Sequence, residues 1–286
     1  MPCPVTQEEV LAGRDQLPPL PKVIAEILRT LEDPDANLNM LVTHVGRDPV
    51  IAARVFATAN VAASYTRHQS KVRDLYTATS LIGLTRLRET VIAASLAGFI
   101  DGMTPPSLKP GFWAHSAAAG VAAQQLAIHL HHPPDAALIA GLLHDIGQLW
   151  LVHHYPQEFL AAMAEAATRT STIEAAERAR FGVDHARIGG WLTESWGLPK
   201  PICDAVRHHH APDAAATDDL LVPLVHVAEV LSNALDLSGN DTARVAYLSP
   251  KSCQRLGLRW DAHADSLFGR IDSIGRFVAA YFRPEN

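Results

Sequence analysis

Apolar residues recur at three- and four-residue intervals along most of this chain, and nowhere do they alternate with polar ones for the length of a strand. That spacing predicts helices throughout. Val23, Ile24, Ile27, Leu28 and Leu31 define a first helix, and Leu38, Leu41, Val42 and Val45 a short second one stopped by Gly46. Asp48-Pro49 pairs a capping residue with proline at the first helical position, so a third helix starts there and runs through Ile51, Val55 and Phe56 to about Asn60. After a polar loop from Arg67 to Lys71, Leu75 to Ile82 form a helix closed by Gly83. Thr85 can cap the next, whose apolar residues include Leu87, Val91, Ile92 and Leu96. Ahead of all these, the residues ending in Leu17-Pro-Pro-Leu-Pro21 read as a stiff lead-in rather than an element.

Gly102 to Pro110 contains three prolines and is the best candidate boundary. Beyond it the pattern predicts helices over Phe112 to about Leu130, Leu138 to His154, Phe159 to Ala167, Thr172 to Arg180, Asp184 to Trp196, Leu220 to Leu235 and Asp261 to Tyr281, with another between Pro201 and His210. The fold class is therefore all-α. Residues 1–16 are the lead-in, 17–104 a smaller N-terminal helical subdomain, and 105–286 a larger helical bundle.

One of these helices carries a conflict. Residues 138 to 154 are almost wholly apolar, yet His144 and Asp145 stand side by side in the middle. Burying an unpaired carboxylate there costs several kcal/mol, roughly, so partners must lie nearby. Neighbouring helix positions point about 100° apart, and an ion between the two side chains could take both. Gly147 suggests a close backbone approach, since glycine inside a helix costs about 1 kcal/mol relative to alanine. The plainer alternative is a core histidine hydrogen-bonded to a buried aspartate.

Composition narrows the classes. A chain of 286 residues, 48% hydrophobic and 19% charged, is an ordinary globular protein with a substantial core. A net charge of -6 argues against wholesale nucleic-acid binding. No uninterrupted apolar stretch reaches the length of a membrane span, and the N-terminus reads without a signal peptide. Cys3, Cys203 and Cys253 are widely separated, which fits a reduced, cytoplasmic setting and excludes a thiolate zinc knuckle.

Histidine is the anomaly: fifteen in all, twelve of them from His115 to His226. His115 lies on the helix before the His144-Asp145 pair, His185 opens a later helix, and His208, His209 and His210 close the one after. Glu229 sits in the apolar run Leu224-Val-His-Val-Ala-Glu-Val-Leu231. Singly, each has a plain reading: His115 a hydrogen-bonded core residue, His208 to His210 a helix end favoured by the dipole, Glu229 an ion-pair partner. His129, His131, His132, His153 and His154 read as surface or packing residues. Together, five helices offer imidazole or carboxylate near one predicted bundle, a donor set suited to iron, manganese, zinc or magnesium.

These residues resemble the HD superfamily of metal-dependent phosphohydrolases, and more closely its HDOD branch, the HD-related output domain of bacterial signalling proteins. Leu17-Pro-Pro-Leu-Pro, Arg47-Asp48-Pro49-Val50, Ala59-Asn60 and Leu81-Ile-Gly-Leu84 look like the series preceding the HD motif. Gly141-Leu-Leu-His-Asp-Ile-Gly147, Asp184-His185 with Gly189, Trp196-Gly-Leu-Pro199 and Val206-Arg-His-His-His210 follow. The resemblance covers roughly residues 17 to 240. It implies that His115 is the first histidine and His144-Asp145 the doublet. His185 and His209-His210 resemble the extra histidines of the cyclic-dinucleotide-hydrolysing HD-GYP cousins. The final aspartate falls at Glu229, one methylene longer, and no Gly-Tyr-Pro follows His210, which argues against cyclic-di-GMP hydrolysis.

The resemblance implies, first, a signal-transduction output module acting through contacts with a signalling protein partner, without turnover. The alternative is a metal-dependent phosphohydrolase acting on a nucleotide or cyclic nucleotide phosphate. His115, His144, Asp145 and Glu229 would then hold one divalent ion. A bridging Asp145 would join His185 and His209 around a second, with His210 as a further candidate ligand. Arg187 and Lys200 are the nearest cationic candidates in sequence for a phosphate.

Overall fold

The computed structural model describes residues 3–29, 34–65, 72, 74–106, 108–168, 171–237, 247–258 and 267–273. Among these there are helices and no strands, so the all-α expectation holds. Two compact units form: residues 20–99, and residues 1–19 together with 100–286.

In the first of these, helix α2 (Lys22–Arg29) buries Val23, Ile24, Ile27 and Leu28, and α3 (Pro34–Arg47) buries Leu41 and Val45. Gly46 does not stop α3, contrary to expectation. Its propensity cost is about 1 kcal/mol, and the helix continues one residue past it to Arg47. The stop comes from Asp48-Pro49, because the residue before a proline is pushed out of the helical region. Asp48 Oδ1 then accepts the N–H groups of Val50 (2.8 Å) and Ile51 (3.2 Å) and opens α4 (Pro49–Tyr65), which passes the expected end at Asn60. Asn60 holds the chain beyond α4: its Nδ2 donates to the Phe56 carbonyl and its Oδ1 accepts from Val72 N, both at 2.8 Å. Helix α5 (Leu75–Met103) is broken at Gly83 (φ 76°, ψ 167°), a conformation open to glycine, which gives the two helical segments expected there. Leu31 and the loop from Arg67 to Lys71 lie outside the described residues.

The larger unit begins at the chain's start, and here the lead-in reading is corrected. Residues Gln7–Gly13 form helix α1, capped by Thr6 Oγ1 accepting from Glu9 N at 3.3 Å. Val5, Val10 and Leu17 are buried. Cys3 N and Val5 N donate to the carbonyls of Arg180 and Phe181 at 2.8 Å, and Tyr155 donates its hydroxyl hydrogen to Glu9. A segment with few apolar residues is thus ordered by contacts far away in sequence.

The remaining elements are α6 (Lys109–His129), α7 (Pro134–Leu143), α8 (Ile146–His154), α9 (Pro156–Ala167), α10 (Ile173–Phe181), α11 (His185–Ser195), α12 (Lys200–His208), α13 (Leu221–Ala234) and α14 (Pro250–Arg255). Helix α14 was not expected. Of the helix expected over Asp261 to Tyr281, only 267–273 is described, and it is helical. The apolar run is not one helix but two. Asp145 adopts φ −96°, ψ 10°, the bridge region between helix and strand, and separates α7 from α8. By composition, residues Pro134–His154 have the length and hydropathy of a membrane span, but the break divides them and 83% of that window is buried within the unit.

Candidate metal centre

Small residues set the frame. A Cβ on Gly141 of α7 would lie 2.7 Å from Gly120 Cα of α6, so these two helices touch backbone to backbone. At Gly147, the first turn of α8, a Cβ would lie 2.0 Å from the His185 carbonyl oxygen at the start of α11. The close approach inferred from the glycine is therefore real. Its partner is the backbone of another histidine-bearing segment.

Local signals then aim the side chains. Helix α10 ends at Gly182 in the left-handed conformation (φ 73°). Asp184 Oδ1 caps α11 by accepting from Arg187 N at 2.9 Å, which places His185 in the first turn. His209 and His210 follow the end of α12, and Glu229 points from the middle of α13, a helix buried along nearly its whole length.

Asp145 is the centre. Its Oδ2 lies 3.3 Å from His115 Nε2 and 3.4 Å from His144 Nε2. Its Oδ1 lies 3.0 Å from His185 Nε2 and 3.6 Å from His209 Nε2. His115 and His144 bring their Nε2 atoms within 3.1 Å of each other, and His185 and His210 theirs within 3.0 Å. Glu229 reaches the cluster: one of its oxygens groups with ligand atoms of His144 and His209 within 4.8 Å, and Oε2 stands 3.8 Å from His210 Nδ1. It thus groups with His144 and His209, and its charge also acts on His115. All seven candidate ligands meet in one pocket. His144, His185 and His209 are fully buried, while His115 and His210 keep partly exposed side chains at its rim.

The rings are held from behind. His144 Nδ1 donates to the Gly141 carbonyl and His209 Nδ1 to the Val206 carbonyl, both at 2.7 Å. A carbonyl only accepts, so these nitrogens carry the hydrogens and both rings turn Nε2 toward the pocket. Burial takes His144 down to about 3, which keeps it neutral. Burial would raise Asp145, but the imidazoles of His144, His115 and His185 hold its carboxyl well below the usual value. Burial would lower His185 too, yet Glu177 and Asp145 raise it well above the ordinary imidazole range. Burial, with His209 and His185 beside it, pushes His210 well down, and burial raises Glu229 against the pull of His209.

Two groups behind the pocket escaped the sequence reading. Glu177, fully buried, accepts from His185 Nδ1 at 2.6 Å. The available signal was its place with Phe181, four residues on, along the inner stripe of α10. His226 donates from Nδ1 to the His209 carbonyl at 2.6 Å and accepts from Ser249 N at 3.0 Å. The phosphate candidates lie elsewhere. Lys200 pairs with Asp204 at the far end of α12, about 13 Å of helix from His209. Arg187 is exposed, two residues and about 200° round α11 from His185, set over the Trp191 ring.

The donor chemistry suits a divalent cation. Atoms held about 2.1 Å from one ion stand roughly 3.0–3.4 Å apart, close to the separations around each Asp145 oxygen. Asp145 Oδ1 and His209 Nε2 are buried without a hydrogen-bond partner, the condition a shared ion would relieve. The ligands are imidazole nitrogen and carboxylate oxygen, with no thiolate among them.

Comparison with known proteins places this fold. An HDOD domain protein from Geobacter sulfurreducens has a TM-score of 0.73 at 23% identity, covering 96% of this chain and 91% of that one. A candidate phosphohydrolase from Shewanella amazonensis gives 0.70 at 24%, covering 96% and 97%. These likenesses show the fold. In sequence, an uncharacterized protein of Treponema pallidum is 28% identical over 228 residues, 78% of this chain and 43% of that protein. Ribonuclease Y of Thermus thermophilus is 35% identical over 169 residues, 58% of this chain and 23% of that protein. The chain spans less than half the length of these curated relatives. The family model of the HDOD domain matches residues 17–212, and this chain belongs to that family.

Proposed function

We propose that this chain is an HDOD module that keeps a working two-ion metal centre and hydrolyses a phosphate ester of the nucleotide or cyclic nucleotide class. The sequence reading put output without turnover first. What reverses the order is one observation: the two oxygens of Asp145 face two separate pairs of imidazole nitrogens, His115 with His144 and His185 with His209. A carboxylate with two imidazole nitrogens beside each oxygen is one that two ions would share, with His115 and His144 holding one and His185 and His209 the other. The partial likeness to ribonuclease Y, a nuclease by name, supports phosphoester chemistry.

When bound, divalent ions here supply Lewis acidity to a phosphoryl oxygen and lower the pKa of water at the site. The chain's own residues do the rest. His144 and His209 present Nε2 from rings anchored by backbone carbonyls. Asp145 stays ionised between the two halves. The apolar walls of α7, α8 and α13 exclude bulk water, and the partly exposed His115 and His210 mark where a substrate enters.

The test is elemental analysis of protein purified without chelator, followed by turnover of nucleotide and cyclic nucleotide phosphates, with His144→Ala as control. Bound iron, manganese, zinc or magnesium and turnover lost in the variant are expected. Protein that takes up no such metal overturns the reading.

Signalling through a protein partner remains the second reading, favoured by the unit of residues 20–99. The family match extends over it, no group of metal-ligand residues occurs among its described residues, and it exposes Val50, Val61 and Tyr76. Co-purification with the full chain as bait identifies the partner; a folded bait that retains none counts against this reading.

A further inference from the structure

We infer that Glu177 is the positioning residue for one half of the metal centre, holding the His185 ring so that Nε2 faces Asp145 Oδ1 as a donor. The inference rests on the metal reading above and goes beyond it. Three buried histidines direct Nε2 into the pocket, but they are not held alike. His144 and His209 lean on the carbonyls of Gly141 and Val206. His185 leans on a carboxylate, 2.6 Å from Nδ1 to Glu177 Oε2.

The same oxygen also accepts the backbone N–H of His185 at 2.8 Å, at the start of α11. That second bond needs no charge: any side-chain oxygen would serve, and Asp184 already caps this helix through Arg187 N. Yet Glu177 is fully buried, and its Oε1 has no hydrogen-bond partner. Taking a carboxylate wholly out of water costs several kcal/mol, roughly, unless something positive faces it. A carboxylate behind an imidazole fixes the tautomer and ring orientation and makes the far nitrogen a stronger ligand. The charge on Glu177 therefore acts through His185 on whatever Nε2 binds. The two rings differ in consequence: His185 is backed by a buried carboxylate, and His144 by a carbonyl.

The experiment titrates the full chain with Mn²⁺, read by calorimetry and by electron paramagnetic resonance, in the parent, Glu177→Gln and Glu177→Asp. Circular dichroism melts verify folding. Gln keeps an oxygen acceptor at the same reach and removes only the charge. The parent is expected to bind two ions. Glu177→Gln keeps one with parental affinity and binds the other about 10–100-fold more weakly, and Glu177→Asp, charged but shorter, recovers part of the loss. Glu177→Gln binding both ions as the parent does overturns the inference, as does equal weakening at both sites, which marks a structural role. For a Gln variant that melts early, Glu177→Asp weakening both sites equally overturns it likewise. A parent that binds no Mn²⁺ overturns the metal reading itself, and the parent's own titration tells that failure apart.

Discussion

Gly147 and His185 meet backbone to backbone, with room for no side-chain atom between them: a Cβ at 147 would come within 2.0 Å of the His185 carbonyl oxygen. This contact ties the segment carrying the His144-Asp145 doublet to the segment carrying His185. The two sides of Asp145 are brought together by it.

Gly147→Ala should therefore destabilise the protein, although alanine is the better helix former by about 1 kcal/mol. The obstacle is backbone, which moves only if α8 or α11 shifts, and overpacking of this kind costs about 1–3 kcal/mol. Urea unfolding midpoints check the stability, and the same variant should hold less metal on the His185 side. A variant as stable as the parent would show that the two helices can slide apart freely.

Asp145→Asn keeps the size and removes the charge at the point where four imidazoles converge. Loss of a ligand outweighs the 10–100-fold effect of losing an outer partner, so metal affinity should fall by at least about 100-fold. Calorimetric titration with Mn²⁺ reads it. Near-parental binding would mean that Asp145 is a structural anion only.

How far these features were legible in the sequence depended on whether their cause was local. Asp48-Pro49 names its own helix start, and the doublet announces itself as charge in an apolar run. Glu229, charged among valines and leucines, does the same. Glu177 does not: Thr172 to Arg180 reads as an alanine-rich helix with no mark of an inner face, and only the packing of α10 shows that its carboxylate is inside. Helix α1 was missed because its order comes from residues 155, 180 and 181. The break at His144-Asp145 has neither glycine nor proline to mark it. Arg187 and Lys200 are cations near the ligands in sequence, and such nearness carries no information about which face of a helix a residue occupies.

The metal-free protein should lose stability on acidification through His144. Burial holds this ring at about 3 in the fold, against about 6.5 in an unfolded chain. Between those values the unfolded state takes up a proton that the native state refuses, so its contribution is intact above about 6.5 and erodes as pH falls. The slope is at most about 1.4 kcal/mol per pH unit. His115 and His185, raised in the fold, act in the opposite sense, contributing below about 6.5 and losing that contribution as pH rises through their folded values. Unfolding in chelator at pH 7, 6 and 5 should show a shallower decline in His144→Asn than in the parent. Identical slopes would place the His144 titration elsewhere.

His226→Leu should cost about 1–3 kcal/mol for each group it strands. The His209 carbonyl loses a donor and Ser249 N an acceptor, both buried. Ser249 also caps α14 and donates to Asp213, so the C-terminal segment should loosen first. Hydrogen exchange across 247–258 checks this; unchanged protection there would mean the segment is held by other contacts.

An aspartate just before a helix ordinarily turns back and accepts one of the free N–H groups of the first turn, for about 0.5–2 kcal/mol. Asp145 occupies that position before α8 and makes no such bond, its carboxylate being committed to the imidazoles. Helix and pocket compete for one side chain, and the pocket has won. The rigidity of α8 is consequently borrowed from its neighbours, and whatever empties the pocket of positive partners hands the carboxylate back to the helix.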